Sequence, residues 1–553
     1  MMYTTTLVSI LCGCLLWLAE ASPVQGNGTS LLSLKARIWD EQHVSTAARI
    51  RFSNMQGKYF APEGHEVDFP LTFSADQIPV EKDVMLADDR RFAYVVGELE
   101  IQLPDEMIRM EVVKGFRYKM IDDTIQVRDY PEGLDIYLQK AFDLPDENWY
   151  CGDVHVHHIN PASALMEMKA EDLNVCNILI SDFTKDHELY RGTIEPISDS
   201  RHLLFLGQEY RENLLGHVNL LNLKQELIQP ARSMRTHQYP LNLAASDRVR
   251  EQGGHISWAH FAAWPGLEGP LGVVLKKVDA VELLCTIDPF HEPIFVTDVV
   301  PELRMNSGLR LWYRLLNCGL HIPATAGTDK MGNLVTVGAN RVYAKVDSAF
   351  DYDHWIDAIN RGRSFVTNSP FLTFEVDGKD IGSTIDGSAG KTYQITAEVW
   401  SQFPLDRLEI IANGELLVES QIPKGTSHAK IEFTYRPEGS VWLAARAYRL
   451  TTRYTRQGLS LAQRRNLANP STLFNRYFGT LRPEVPFAHT NPIFLLMDGQ
   501  PIQSAADANY FVRYLDNVMS WLDSKGSFPS KDAKREVLET FEQGKQVFDD
   551  LAN

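Results

Sequence analysis

The chain has 553 residues, 44% of them hydrophobic and 23% charged. At ~150 residues per domain that predicts three or four folded units, and the balance excludes a mainly disordered, collagen-like or multi-span membrane protein. With 54 Lys plus Arg against 72 Asp plus Glu, the net charge of −18 gives no general attraction to phosphate backbones and argues against nucleic acid as a partner.

An apolar run over residues 7–18 opens the chain and is too short to span a bilayer as a helix. It ends at Ala19-Glu20-Ala21, an A-x-A cleavage pattern, so residues 1–21 read as the signal peptide of an exported protein, periplasmic or secreted. No Lys or Arg precedes the run, and Leu11-Cys12-Gly13-Cys14 has the shape of a lipoprotein cleavage box. A lipid anchor at Cys14 and an uncleaved leader therefore stay open. No later segment offers the ~20 apolar residues that a span needs, so no stable membrane span is expected once the leader is cleaved. Cys151, Cys176, Cys285 and Cys318 form no C-x-x-C pair and are too widely spaced for a disulfide framework; they read as small buried apolar residues.

Residues 30–145 alternate with period two. Leu99, Ile101 and Leu103 share one face, as do Ile108, Met110 and Val112, which predicts a small β-sandwich. Over 146–370 short β-like runs alternate with helix-like ones. Strands are expected at 153–157, 177–182, 203–209, 217–221, 255–260, 278–284 and 321–327, and helices at 162–174, 246–252, 305–317 and 354–361. This alternation predicts an α/β sheet or barrel, whose chemistry sits where strands end. Over 371–500 the period returns to two, with Asn413-Gly414 as a hairpin turn, predicting a second β-sandwich. An insertion at 449–482 interrupts it with seven Arg and no Asp or Glu. It reads as a surface excursion, or as a lid that brings guanidinium groups to an anionic substrate. Residues 501–553 read as a helical tail, with Val537, Leu538, Phe541, Val547, Phe548 and Leu551 on roughly one face.

The polar strand ends carry the chemistry. Alternation puts His155 and His157 on one side of a strand, ~6–7 Å apart at Cα, where two imidazoles can grip one ion. Glu209, His217, His260, Glu282 and Asp329 recur at the ends of later strands. A single carboxylate there can simply cap a helix, but so many imidazoles and carboxylates in one architectural place suit zinc, manganese or iron.

Gly152-Asp153-Val154-His155-Val156-His157, Glu209 followed by Gly216-His217-Val218-Asn219, Ala259-His260 followed by Pro265-Gly266, and Gly327-Thr328-Asp329 occur in that order. Together they resemble the motifs of the polymerase and histidinol phosphatase (PHP) superfamily of metal-dependent hydrolases. The stretches 362–370 and 488–493 are similar to those of its CehA/McbA branch, named for carbamate-insecticide hydrolases. The resemblance covers about 150–500. It implies a multidomain α/β plus all-β chain, a PHP-like distorted (β/α) barrel between two β-sandwich domains. It also implies two divalent ions, one on His155, His157, Glu209 and Asp329, the other on Glu209 as a bridge with His217 and His260. The ligands of the superfamily's third ion are missing. Their places hold Ala162 or its neighbours, Phe183 and Met331; His187 either replaces the missing His through a shifted loop or is a surface histidine. Lys330 reads either as a solvated loop lysine or as the group that occupies that third place, neutralising a carboxylate or meeting an anionic substrate.

The activity implied is hydrolysis of an ester-type bond (phosphoester, carboxylic ester or carbamate) in a small-molecule substrate by a metal-activated water. Glu282, Lys330 and Asp182 are the candidates for proton transfer. Asp153 is expected to support the strand or orient a histidine. The alternative is a non-catalytic exported protein that binds a glycan or another protein and keeps the barrel as scaffold. Oligomeric state is left open by the sequence.

Overall fold

A computed structural model describes residues 30–65, 83–86, 90–145, 148–181, 189–212, 214–228, 237–262, 264–285, 299–300, 307–332, 335–449 and 486–553. The leader, and all of the Arg-rich insertion beyond Arg449, lie outside the described residues. Among the described residues no helix is long and apolar enough to cross a membrane.

The N-terminal region builds two sheets. Leu31–Trp39 pairs antiparallel with Glu98–Pro104 and parallel with Leu134–Tyr137. Ala47–Asn54 lies between Arg90–Val96 and Met107–Val113 in the second. The alternating residues Leu99, Ile101, Leu103, Ile108, Met110 and Val112 all turn inward and share one core with Leu34, Ile50 and Phe52. The other face of the second sheet meets the middle region. Phe92, Tyr94 and Val113 pack on Ala170 of the helix Pro161–Ala170. Charge reinforces that seam: Arg49 pairs with Glu171 at 3.0 Å, and Tyr94 Oη donates to Glu171 at 3.1 Å. Each of these buried charges has a partner, as the cost of desolvation demands.

The middle region forms a curled sheet. Trp149–Val156, Val175–Ile180 and Leu203–Glu212 run parallel. Gly216–Leu221 then turns back antiparallel and pairs with His255–Trp258, which continues parallel to Ala280–Leu284 and Ala324–Ala326. A short parallel bridge between Val156 and Lys330 brings the two ends together. Strands and helices fall within a few residues of their expected places, including the helices Ser246–Glu251, Gly308–Asn317 and Tyr352–Asn360. The regular βα alternation does not hold throughout. Leu203–Glu212 and Gly216–Leu221 are joined as a tight hairpin, too short for a crossover helix. The described chain is therefore mostly β, a curled sheet with flanking sheets.

The expected border at 370 is no break in hydrogen bonding. Ser364–Thr367 pairs with Arg341–Lys345 on one side and with Phe487–Thr490 on the other. One fifteen-stranded sheet thus runs from the curled region into the C-terminal layer. That layer faces a four-stranded sheet of Phe371–Val376, Lys379–Asp380, Tyr393–Trp400 and His428–Tyr435. The hairpin between Arg407–Ala412 and Glu415–Gln421 closes at Asn413 and Gly414, with φ of 48° and 85°, the left-handed pair that this turn type requires.

Two helices end the chain, Ala505–Lys525 and Lys531–Ala552, each capped by a serine side chain at Ser504 and Ser530. Val537, Phe541, Gly544 and Phe548 form the buried stripe of the second. Val547, expected on that face, is 36% exposed, because one residue from Phe548 is about 100° of helix rotation. The pair packs on the curled region. A Cβ on Gly544 would meet Leu271 Cδ1 at 2.3 Å.

Candidate metal centre

His155 lies on Trp149–Val156 and His157 one residue past it, so both rings leave by the same side. Glu209 sits on Leu203–Glu212. Its strand partner two residues on, Arg211, lies opposite His217, which makes Glu209 and His217 diagonal neighbours on one face. His260 follows His255–Trp258, and Asp329 follows Ala324–Ala326. These two residues have φ of 35° and 48°. Left-handed backbone at non-glycine residues is costly and concentrates where side chains must be aimed. Asp153 ties the first strand end to the last. It accepts from His155 N at 3.0 Å, Thr328 N at 2.9 Å, Gly338 N at 2.8 Å and from the Thr328 hydroxyl. Burial pushes its carboxyl up to about 6 against those bonds.

All six expected ligands converge. His155 Nε2 lies 3.1 Å from His157 Nε2, 3.6 Å from Glu209 Oε1 and 3.5 Å from Asp329 Oδ1. His157 Nε2 lies 3.1 Å from Glu209 Oε2. On the other side His217 Nδ1 lies 2.8 Å from Glu209 Oε1 and 3.1 Å from His260 Nε2. Ligands about 2.0–2.2 Å from one tetrahedral ion are roughly 3.3–3.6 Å from each other, close to these spacings. The groups form two triads, His155–His157–Asp329 and Glu209–His217–His260, with Glu209 touching both.

The protonation pattern suits a cation. His157 Nδ1 faces the Leu179 carbonyl at 2.8 Å and His155 Nδ1 faces Glu282 Oε2 at 3.1 Å. Both partners accept, so each Nδ1 is placed to donate a proton outward while each Nε2 faces the centre. Burial opposes a charged His155, yet Glu282, Asp329 and Glu209 overcome it and raise its pKa to about 10. Burial alone would neutralise Glu209, but Arg211 and His217 hold its carboxyl well below the usual range. Burial likewise works against Asp329, and His155 and His157 outweigh it. Burial keeps His217 neutral, with a pKa of about 3. Ionised carboxylates and a neutral imidazole at His217 are the forms that bind divalent ions, and these buried His, Glu and Asp groups can hold them.

The proton-transfer candidates take other places. Glu282, fully buried, is bound to His155 Nδ1 and accepts from His260 N at 2.5 Å, so it bridges the two triads from behind. Lys330, also fully buried, pairs with Glu167 at 3.5 Å and donates to the carbonyls of Val335 and Gly332 at 2.8 and 3.1 Å. It neutralises a carboxylate rather than lying solvated on a loop. Asp182, Phe183 and His187 lie outside the described residues. Three neighbours escaped the sequence reading. Arg211 Nη1 is 3.2 Å from Glu209 Oε2; its place two residues along the same strand was a usable signal. Trp264 stacks on His260 and meets the edge of His217, and no local pattern marked it. Cys285, read as an inert apolar residue, lies in ligand range of His155 and Glu282.

No protein-family model matches this chain, and no curated protein matches it. Among solved structures, PsfC from Pseudomonas syringae PB-5123 is similar at 17% identity and a TM-score of 0.29, over 39% of this chain and 90% of that one. The lesion-specific endonuclease PfuEndoQ from Pyrococcus furiosus is similar at 13% identity and a TM-score of 0.23, over 39% of this chain and 55% of that one. Likeness of this degree carries no argument about chemistry.

Proposed function

We propose that the chain is an exported metal-dependent hydrolase of the PHP type, with two divalent ions of zinc, manganese or iron. Its substrate in this reading is a small molecule with a phosphoester, carboxylic ester or carbamate bond. The observation that carries the proposal is the convergence of six ligands into two triads that share Glu209. Such a pair of ions, when bound, supplies a water of near-neutral pKa and polarises the bond under attack. The chain's own residues do the rest. Glu209 spans both positions. The Leu179 carbonyl and Glu282 fix which nitrogen of His157 and His155 faces inward. Asp329 and Arg211 are the partly open members of the group, at 17% and 20% side-chain exposure, so substrate approaches from their side. In this reading Glu282 acts by orienting His155, and Lys330 by neutralising Glu167, rather than by carrying protons.

Metal analysis of the purified, reconstituted chain is the test, followed by a panel of phosphomonoesters, phosphodiesters, carboxylic esters and carbamates. About two ions per chain, with turnover lost in a His155→Ala, His157→Ala variant, is the expected result. A stably folded chain that takes up no ion overturns the proposal.

A further inference from the structure

The two triads are held in different ways. His155 and His157 are keyed from behind by Glu282 and the Leu179 carbonyl. His217 Nε2 and His260 Nδ1 are buried with no hydrogen-bond partner among the described residues. Those two rings depend on the packing of Trp264, with ring centres 4.6 and 5.4 Å away, and on the backbone that carries them.

That backbone is a pair of loops zipped together. Leu267 N donates to Leu214 O at 2.8 Å, Glu268 N to Leu215 O at 3.0 Å, and Trp264 N to His260 O at 2.7 Å. Gly266, with φ of 63°, lies so close that a Cβ would strike Leu215 O at 2.1 Å and Gly216 Cα at 2.5 Å.

The C-terminal helix pair grips this zipper at two points. Tyr514 is fully buried on an apolar helix face with Phe511, Leu515 and Val518, and its hydroxyl donates to Gly266 O at 2.6 Å. A buried tyrosine hydroxyl needs such a partner, and here the partner is the zipper itself. The second grip starts at Ser527, between the two helices. Gln238 N donates to Ser527 O at 3.0 Å, and Ser527 N to Gln238 Oε1 at 2.8 Å. Gln238 Nε2 reaches Glu212 Oε1 at 3.4 Å, and Glu212 Oε2 accepts from Leu214 N and Leu215 N at 2.8 and 2.5 Å. His217 follows two residues later.

We propose, resting on the dinuclear reading above, that the helix pair is no detached tail but the element that sets the His217–His260 half of the centre. Tyr514 is its positioning residue, acting through Gly266. The test is zinc titration of metal-free, full-length wild type, Tyr514→Phe and Val518→Ala, with His157→Ala and His217→Ala assigning each dissociation constant to its triad. In Tyr514→Phe the His217–His260 ion is expected to weaken about tenfold, the low end for loss of an outer partner, while the His155–His157 ion is unchanged. Val518→Ala lowers the melting temperature without touching a polar link, and is expected to leave both constants alone. Tyr514→Phe constants that are both unchanged, or that weaken together, overturn this inference alone, as does a Val518→Ala chain that weakens the His217–His260 ion as much as Tyr514→Phe does. Where zinc does not bind, the titration is repeated with manganese and iron(II); a wild type that takes up none of the three overturns the dinuclear reading and this inference with it.

Discussion

Gly327 puts the geometry of the centre under its sharpest constraint. Its φ is not left-handed, so glycine is needed there for space rather than for conformation. A Cβ would lie 2.4 Å from Glu282 Oε1, 2.5 Å from His155 Cβ and 2.9 Å from His155 N. The Glu282 tip has little room to yield, since its carboxylate already holds His155 and His260. His155 must therefore retreat by about 0.9 Å to restore ordinary contact, several times the ±0.2 Å within which a metal–ligand bond tolerates change. Overpacking of this kind costs about 1–3 kcal/mol, which a chain of this size survives. Gly327→Ala is expected to fold, to melt at a lower temperature and to lose at least about tenfold in zinc affinity at the His155 triad. Competition against a chromophoric chelator reads the affinity, and circular dichroism reads the fold. Gly439→Ala, where nothing lies within 4 Å of the added carbon, serves as the neutral control. A folded Gly327→Ala chain with wild-type zinc affinity refutes the argument that close packing sets the position of His155.

Other outcomes can be checked alongside it. Glu209→Gln weakens the carboxylate whose oxygens face the ligand nitrogens of both triads, so elemental analysis is expected to show both ions lost, not one. Lys330→Met strands the buried Glu167 charge and is expected to cost about 3–5 kcal/mol in urea unfolding, much of it recovered by adding Glu167→Gln. Burial lowers the pKa of His489 from 6.5 to about 3, so the folded chain holds it neutral. Its contribution to stability is present above pH 6.5 and is lost as pH falls toward 3. His489→Gln is therefore expected to flatten the fall of the urea midpoint between pH 6.5 and 4. An equally steep fall would remove His489 as a source of acid sensitivity.

Local signals carried well wherever one short stretch decides the geometry. Alternation from 153 to 157 put both histidines on one side, and Asn413-Gly414 marked a hairpin because few other residues accept two left-handed positions in a row. Legibility ended where distant segments meet. Nothing near 364–367 announces that its partner strand lies at 487–490, across the border expected at 370. Trp264 reaches the rings of His217 and His260 only through tertiary packing. Lys330 sits on a polar stretch that reads as a loop, and its burial is matched by Glu167, a partner far away in the chain, and by the carbonyls of Gly332 and Val335. Val547 was assigned to the wrong helical face because a stripe one residue wide leaves no margin for an error of one position.

The shared strand at 364–367 also imposes a schedule on synthesis. Its second neighbour, 487–490, leaves the ribosome about 120 residues later, which at about 5–20 residues per second is a delay of roughly 6–24 s. Throughout that interval the edge groups that Ser364, Val366 and Asn368 later offer to 487–491 are open to any stray strand. Mispairing at this edge is therefore the expected hazard of synthesis until the far end of the chain arrives.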